Sequence, residues 1–343
     1  MKPLAIDLFS GCGGLTLGLK QAGFRVVGAV EIDPLAVRTY KVNHKQVVVW
    51  EQDISELSVS KVMEKLKLSK GQLDLLAGCP PCQGFSALRT RNGANQNRDY
   101  RNSLIHEMLR FIRVLRPKAV MMENVPGLKS KKQFRDFYRG LKRLGYKVGW
   151  NVKDAARYGV PQRRKRLILL AGVDAKISFA DESKKRRTVR HAIGGLAKAG
   201  SSGDAIHDIK EKRTAKVLDL IKDIPRDGGS RLDLPNDRQL TCHKNCDGFK
   251  DIYGRMAWKE VAPTITSGCL NPSKGRFIHP KENRAITMRE AALLQSFPRD
   301  YWFPSDAGKQ AGALMIGNAL PPEFIRRHAV EIRKHLLVSR TSK

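Results

Sequence analysis

Seven short apolar runs of β character punctuate the first 175 residues, and helical stretches separate most of them. Leu4–Phe9 reads as a first strand, Leu15–Ala22 as a helix closed by Gly23, Val26–Glu31 as a second strand and Pro34–Asn43 as a second helix. Val47–Trp50, Leu73–Ala77 and Ala119–Glu123 continue the strands, with helices over 102–115 and 130–144. This rhythm predicts an α/β fold with a mostly parallel sheet and helices on both faces. The last two runs differ. Gly149–Lys153 and Leu167–Ala171 are separated by 13 residues that include Gly159, Pro161 and a cluster of charge. A parallel crossover usually needs a helix in that space, so these two are expected to pair antiparallel at one sheet edge.

Beyond residue 176 the pattern changes. Residues 181–285 are rich in turn formers (GSSGD, PRDGGS, LPNDR, NPSKGR) and show helical period only near 207–223. A smaller, irregular domain is expected there. Helical order returns at Thr287-x-x-Glu290, a capping box, and a last helix over 322–337 places Ile325, Ala329, Ile332 and Leu336 on one face. The expected layout is 1–178 for the first part of a catalytic domain, 179–285 for the irregular domain, and 286–343 for helices returning to the first.

The formal net charge is +31, which points to a polyanionic partner. The charge is uneven: residues 1–60 carry six basic and six acidic side chains, whereas residues 86–166 carry 22 basic and five acidic. Six cysteines at irregular spacing do not resemble a disulfide framework. The longest apolar run, LILLAGV at 167–173, is too short to span a membrane, and no signal peptide is read at the N-terminus. A soluble intracellular protein without a membrane partner is expected.

Two loops carry candidate chemistry. The first strand ends in DLFSGCGGL, where Gly11, Gly13 and Gly14 let the backbone approach a ligand at a helix N-terminus. Glu31 follows Gly11 by 20 residues, a spacing suited to ribose hydroxyls, and Asp53 lies just beyond the third strand. Position 16 is Thr16, so the dinucleotide glycine pattern is incomplete and a nucleoside without a pyrophosphate fits better. The second loop is GCPPCQGFS, residues 78–86. Cys82 there fits a nucleophile, one half of a redox CxxC with Cys79, a zinc ligand, or an ordinary residue. Zinc would need partners among Cys242, His243, Cys246 and Cys269, whose spacing is unpersuasive. Glu123 ends the fifth strand in MMENVPG and should reach the same sheet edge as Cys82. A shielded carboxyl in that position can hold a proton and donate it. In YGVPQRRKRL, Gln162, Arg164 and Arg166 would share one face if the segment is extended, with Arg163 and Lys165 on the other.

These runs together resemble the DNA (cytosine-5) methyltransferases of restriction-modification systems. The matching pieces are DLFSGCGGLTLGL, EID, GCPPCQGFS, ENVPG, YGVPQRRKRL, REAALLQSFP and IGNALPP, in the family order. The resemblance implies a Rossmann-like methyltransferase sheet with a target-recognition domain at 179–285. It implies S-adenosylmethionine as cofactor, S-adenosylhomocysteine as product, and no metal. The target cytosine would leave the duplex. Cys82 would add to carbon 6, Glu123 would hydrogen-bond or protonate ring nitrogen 3, and Arg164 and Arg166 would hold the base. Phe9, Gly11, Gly13, Gly14, Glu31, Ile32, Asp53, Ile54 and Asn318 would form the cofactor site, with Pro81 and Leu104 as further candidates. The arginine-rich stretch 86–102 would close over double-stranded DNA, with contacts from Ser86, Arg89 and Arg91 and further ones from Gln162 and Arg163. Cys79 is read as a loop residue beside the pocket.

The resemblance further implies a bacterial, cytoplasmic enzyme at the nucleoid, acting as a monomer, with a cognate restriction endonuclease acting separately. Two rivals remain: an RNA (tRNA) cytosine-5 methyltransferase on the same scaffold, and a catalytically inactive DNA-binding relative. The sizeable irregular insert favours DNA, and the presence of Cys82, Glu123, Arg164 and Arg166 together disfavours the inactive relative.

Overall fold

The computed structural model describes residues 1–81, 103–239 and 250–341. The chain divides into two compact units: Met1–Tyr158 with Lys165–Glu182 and Leu320–Lys343, and Gly159–Arg164 with Ser183–Ala319.

The first unit is built on a seven-stranded sheet in the order β3-β2-β1-β4-β5-β7-β6. Its strands are β1 (Leu4–Leu8), β2 (Arg25–Glu31), β3 (Val48–Glu51), β4 (Leu75–Gly78), β5 (Ala119–Asn124), β6 (Lys147–Asp154) and β7 (Lys165–Gly172). β1 to β5 run parallel, and β7 runs antiparallel to both β5 and β6. The antiparallel pair at one edge is therefore present, with β7 inserted between β5 and β6. One consequence matters for the site. Because β7 runs backwards, its first residues lie beside the C-terminal end of β5, with Leu167 opposite Asn124 and Ile168 opposite Glu123.

Burial follows from the sequence pattern. β4 (LLAG) and β5 (AVMMEN) are buried at every residue, as near-continuous apolar strands covered on both faces should be. The helices of this unit are α1 (Gly14–Gln21), α2 (Pro34–Asn43), α3 (Val59–Leu66), α4 (Leu104–Leu115) and α5 (Lys132–Arg143), joined by the C-terminal α10 (Pro322–Thr341). α2 starts with Asp33 as N-cap, accepting from the Ala36 amide at 2.8 Å, followed by Pro34. α4 buries Leu104, Ile105, Met108, Leu109, Ile112 and Leu115 along one stripe, each side chain contributing roughly 1.5–3 kcal/mol of apolar burial. α10 buries Ile325, Ala329, Ile332 and Leu336, the face expected from its spacing. It packs closely on α1 at Gly18, where an added Cβ would lie 2.6 Å from both the Pro322 carbonyl oxygen and the Ile325 Cβ.

The second unit is irregular. It holds α6 (Val189–Ile193), α7 (Ala215–Asp223), α8 (Met288–Leu294) and α9 (Gly308–Asn318), with short 3-10 turns between. The Thr287–Glu290 capping box opens α8 as read from the sequence. Few strand ladders are available here, so arginines satisfy the backbone. Arg255 is fully buried and donates to the carbonyls of Ile221, Ile224, His279 and Glu282 and to Asn283 Oδ1. Leu220, Leu234, Tyr253 and Ile278 belong to an apolar cluster that also holds Ile221 and Ile224. Among the described residues no helix is long and apolar enough to cross a membrane.

Candidate active site

The sheet order changes direction between β1 and β4. The chain moves outward from β1 through β2 to β3 and then returns to the other side of β1 at β4. A crevice beyond the strand C-termini at such a point is where ligands bind in parallel sheets. The glycine loop leaves β1 here. Phe9 takes φ +61°, unusual for a residue with a side chain. Gly11 follows at φ +52° and Gly13 at +95° as the N-cap of α1. A Cβ on Gly11 would meet nothing within 4 Å, so the backbone there faces open space.

Glu31 pins this loop. Its Oε2 accepts from the Gly11 amide at 2.7 Å, and its Oε1 accepts from the amides of Ile32 and Asp33, each at 2.9 Å. Burial pushes the carboxyl up from its ordinary range against these three donors. Phe9, Glu31, Ile32, Asp53, Ile54, Pro81 and Leu104, all anticipated, line one cleft together with Val30 and Gln52, which were not. Ile32 is 57% exposed, an apolar face left open at the mouth. The set is apolar along its walls with two carboxylates, Glu31 held by three amides and Asp53 by the Ser55 amide, a lining that could take a nucleoside, with a flat base against Phe9 and Ile32 and hydroxyls at Glu31.

Beneath the loop lies a buried polar network with no counterpart in the sequence reading. Thr16 Oγ1 is 2.7 Å from Asp7 Oδ2, to which it donates, and 2.7 Å from the Tyr40 hydroxyl. His44, packed edge-on against Tyr40, donates from Nε2 to the Gly13 carbonyl (3.2 Å) and accepts at Nδ1 from Lys20 (3.3 Å). Burial and the Lys20 charge push this imidazole down to about 4, so it is neutral at working pH. Asp7 is fully buried, and its Oδ1 has no hydrogen-bond partner. Burial raises its carboxyl from 3.8 to about 7. The folded chain therefore holds this proton more tightly than the unfolded chain, and stability from this group is lost as pH rises from about 4 to about 7. Asp7→Asn is expected to remove that loss. Denaturant unfolding at pH 5 and pH 7.5 should show the wild type losing about 2–3 kcal/mol relative to the variant, the part of the shift that falls between those two pH values. Parallel profiles for the two proteins would disprove the assignment.

At the neighbouring strand ends stands the carboxylate expected to face the reacting group. Glu123 on β5 is 1% exposed. Arg166, at the start of β7, places Nε 2.9 Å from Glu123 Oε1. Cys79, just after β4, donates its thiol to Glu123 Oε2 at 3.0 Å. Asn124 braces the same turn: its Nδ2 donates to the Pro80 carbonyl at 2.9 Å. The sequence reading placed Asn124 inside a motif but gave it no role, and it set Cys79 aside.

The remaining predicted residues fall elsewhere. β7 begins at Lys165, so Gln162 and Arg164 do not share a strand face with Arg166; both belong to the second unit. Gln162 is fully buried, donates to the Leu294 carbonyl and Gln295 Oε1, and accepts from the Ile265 amide. Its amide is thus occupied inside the protein rather than directed at DNA. Arg164 donates to the carbonyls of Ile265, Gly317 and Ala319, a brace within that unit. Arg163 is exposed, and it lines a cleft with Arg186 and Arg276. Asn318 ends α9 in the second unit and is exposed. Cys82, Ser86, Arg89, Arg91, Cys242, His243 and Cys246 lie outside the described residues.

Comparison with known proteins fits this arrangement. A family model for C-5 cytosine-specific DNA methylases matches residues 4–334. The Type II methylase M.HgiDII of Herpetosiphon aurantiacus is 36% identical over 96% of this chain and 95% of its own length. The Type II methyltransferase M1.HphI of Haemophilus parahaemolyticus is 34% identical over 96% and 86%. Among solved structures, one assigned as a DNA modification methyltransferase encoded within an E. coli prophage aligns with a TM-score of 0.71 at 26% identity, over 98% of this chain and all (100%) of that one. The S. pombe Dnmt2 methyltransferase shares the fold, with a TM-score of 0.61 at 19% identity over 100% of each chain. A chain whose sheet gathers a glycine loop, an amide-held acid and a buried Glu–Arg pair at one edge, and whose whole length follows these proteins, belongs to the C-5 cytosine-specific DNA methylase family.

Proposed function

We propose that this enzyme transfers a methyl group from S-adenosylmethionine to carbon 5 of a cytosine flipped out of a specific duplex sequence, with Cys82 as the nucleophile. The observation that carries the residue assignment is the buried Glu123, held by Arg166 and Cys79 at the same strand ends as the Phe9–Glu31 cleft. Phe9, Ile32 and Ile54 would pack on the adenine of the cofactor, and Glu31 would accept from its ribose. When bound, the cofactor supplies an electrophilic methyl group on a sulfonium.

The chain's own residues prepare the base. Cytosine carbon 5 is a poor nucleophile in the intact aromatic ring. The Cys82 thiolate forms a bond to carbon 6, and Glu123 gives a proton or a hydrogen bond to nitrogen 3, so the ring's electrons collect at carbon 5 as an enamine. Arg166, anchored on Glu123, would stabilise charge that develops on the base. Once carbon 5 carries the methyl group, a base such as water takes the carbon 5 proton, the freed electron pair re-forms the carbon 5–carbon 6 double bond as the carbon 6–sulfur bond breaks, Cys82 leaves as the thiolate, and nitrogen 3 returns its proton to Glu123. Arg163, with Ser86, Arg89 and Arg91, would meet DNA phosphates, while residues 179–285 would read the bases. The Type II names of the relatives support a role beside a cognate restriction endonuclease.

A trapping experiment tests this directly. With S-adenosylmethionine and a duplex carrying 5-fluorocytosine at the target position, carbon 5 cannot lose a proton. The enzyme should then remain joined to DNA, and peptide mapping should place the link on Cys82. A parallel assay with labelled cofactor and either duplex DNA or tRNA separates the polymers. Label on tRNA alone would overturn the choice of DNA, and an adduct at another residue would overturn the nucleophile.

A further inference from the structure

We infer that Cys79 is a positioning residue for Glu123, a weak donor that holds the Oε2 oxygen in place until the target base takes it. The inference rests on the reading of Glu123 as the group that faces nitrogen 3. It concerns a side chain that is not among those lining the cofactor cleft and that acts through Glu123.

Glu123 is almost fully buried, so both of its oxygens need partners. They have partners of very different strength. Oε1 faces the Arg166 guanidinium at 2.9 Å, a permanent charge. Oε2 takes the Cys79 thiol at 3.0 Å, and a thiol is among the weakest donors a side chain offers. When the target base arrives, the thiol contact is the one that gives way, and Oε2 is freed to carry the proton it offers to nitrogen 3. The two contacts therefore distinguish the oxygens: Oε1 is the anchor and Oε2 is the one that turns from the thiol to the base.

The position of Cys79 is fixed by the sheet rather than by its own side chain. Its backbone amide donates to the Leu8 carbonyl at 3.3 Å, which extends the β1–β4 ladder by one residue. The next residue, Pro80, is held from the other side by Asn124. Gly78 before it is closely packed, since a Cβ there would lie 3.1 Å from the Leu8 carbonyl oxygen. The thiol is thus presented to Glu123 by strands on both sides, and its removal should leave the surrounding backbone in place.

A donor on Oε2 favours the ionised carboxylate, so deleting it should make Glu123 hold its proton to higher pH. If Glu123 acts in its protonated form, the falling alkaline limb of the rate profile should move up. The test uses the full-length enzyme with Cys79→Ala and Cys79→Ser, measuring single-turnover methyl transfer to duplex DNA across pH, cofactor affinity and melting temperature. Cys79→Ala should move the limb up by about 0.5–1 pH unit and change the rate at the wild-type optimum about two- to tenfold, with cofactor affinity unchanged. Cys79→Ser, whose hydroxyl can donate in the same place, should return the limb to the wild-type position. A purely structural cysteine would alter melting or overall rate without moving the limb. A wild-type profile in Cys79→Ala, or a Cys79→Ser profile that matches Ala, overturns the inference. Glu123→Gln, run alongside, separates the levels: if it keeps full activity and the limb, the reading of Glu123 itself falls. If it is inactive while Cys79→Ala behaves as wild type, only the role of Cys79 falls.

Discussion

Glu123→Gln is expected to slow methyl transfer by about 10²–10⁴-fold, the usual cost of losing a positioned general acid, while cofactor binding stays intact. The amide has the size and shape of the carboxyl, so the packing around β5 should survive. What changes is the chemistry at the two oxygens. Glutamine has one acceptor and one donor end, whereas the site presents two donors, Arg166 Nε at 2.9 Å and the Cys79 thiol at 3.0 Å. One of them must face an NH₂ group, and an amide can donate a hydrogen bond to nitrogen 3 but cannot transfer a proton to it. The cofactor cleft should not register the substitution, because its lining runs from Phe9 to Leu104 without Glu123. The measurement is single-turnover transfer of labelled methyl to duplex DNA, with cofactor affinity by calorimetry. A rate within tenfold of wild type would remove Glu123 from the chemistry, and a parallel loss of cofactor affinity would mean that the sheet edge had been disturbed.

The parts of the molecule legible in the sequence are those where one local rule dominates. β1, β2, β4 and β5 are short apolar runs in an alternation with helices, so their positions and parallel direction follow from spacing. The antiparallel entry of β7 follows from a connection too short and too rich in glycine, proline and charge for a crossover helix. α3 and α9 escaped for opposite reasons. α3 buries only Val59 and Val62 beneath a charged face, too weak a period to stand out over eight residues. α9 contains Gly312 and Gly317, which read as turn formers. In the structure they permit close approach: an added Cβ would lie 2.1 Å from Met288 Cε at Gly312 and 2.3 Å from the Thr266 carbonyl carbon at Gly317.

Candidate site residues could be proposed from the sequence when they belonged to a motif and stayed hidden when they served another residue. Glu31, Asp53 and Glu123 are singled out by their places at strand ends, and Phe9 only by the family resemblance. Asn124 and Cys79 act through the Pro80 carbonyl and the Glu123 carboxylate, contacts that join β4 to β5 across 44 residues and leave no periodic trace. Gln162 and Arg164 show the converse. Their motif suggested exposed, ligand-facing groups, yet polar side chains in an irregular core are needed for its unpaired backbone, and both are occupied there. Extended sequence around an arginine does not reveal whether its fork faces a ligand or a row of carbonyls.

Glu31→Ala is expected to weaken S-adenosylmethionine binding by about 10²–10³-fold, equivalent to roughly 3–4 kcal/mol. Two losses combine. The ribose loses its acceptor, and the amides of Gly11, Ile32 and Asp33 lose theirs. The second loss loosens the glycine loop, whose left-handed Gly11 is held by this contact, so part of the cofactor's binding energy must go into ordering it. Glu31→Gln should fall between the variants, since the amide oxygen can keep Ile32 and Asp33 while its NH₂ opposes the Gly11 amide. The pH dependence has a definite sign. Burial makes Glu31 take up a proton at higher pH than an ordinary glutamate, and a protonated carboxyl is a poorer acceptor for amides and hydroxyls. Affinity in the wild type should therefore fall on acidification, and this part of the pH dependence should be absent from Glu31→Ala. Calorimetric titration of both proteins at several pH values decides it. An alanine variant that binds the cofactor within about threefold of wild type, a difference well under 1 kcal/mol, would mean that the ribose is held elsewhere and that Glu31 serves only the loop.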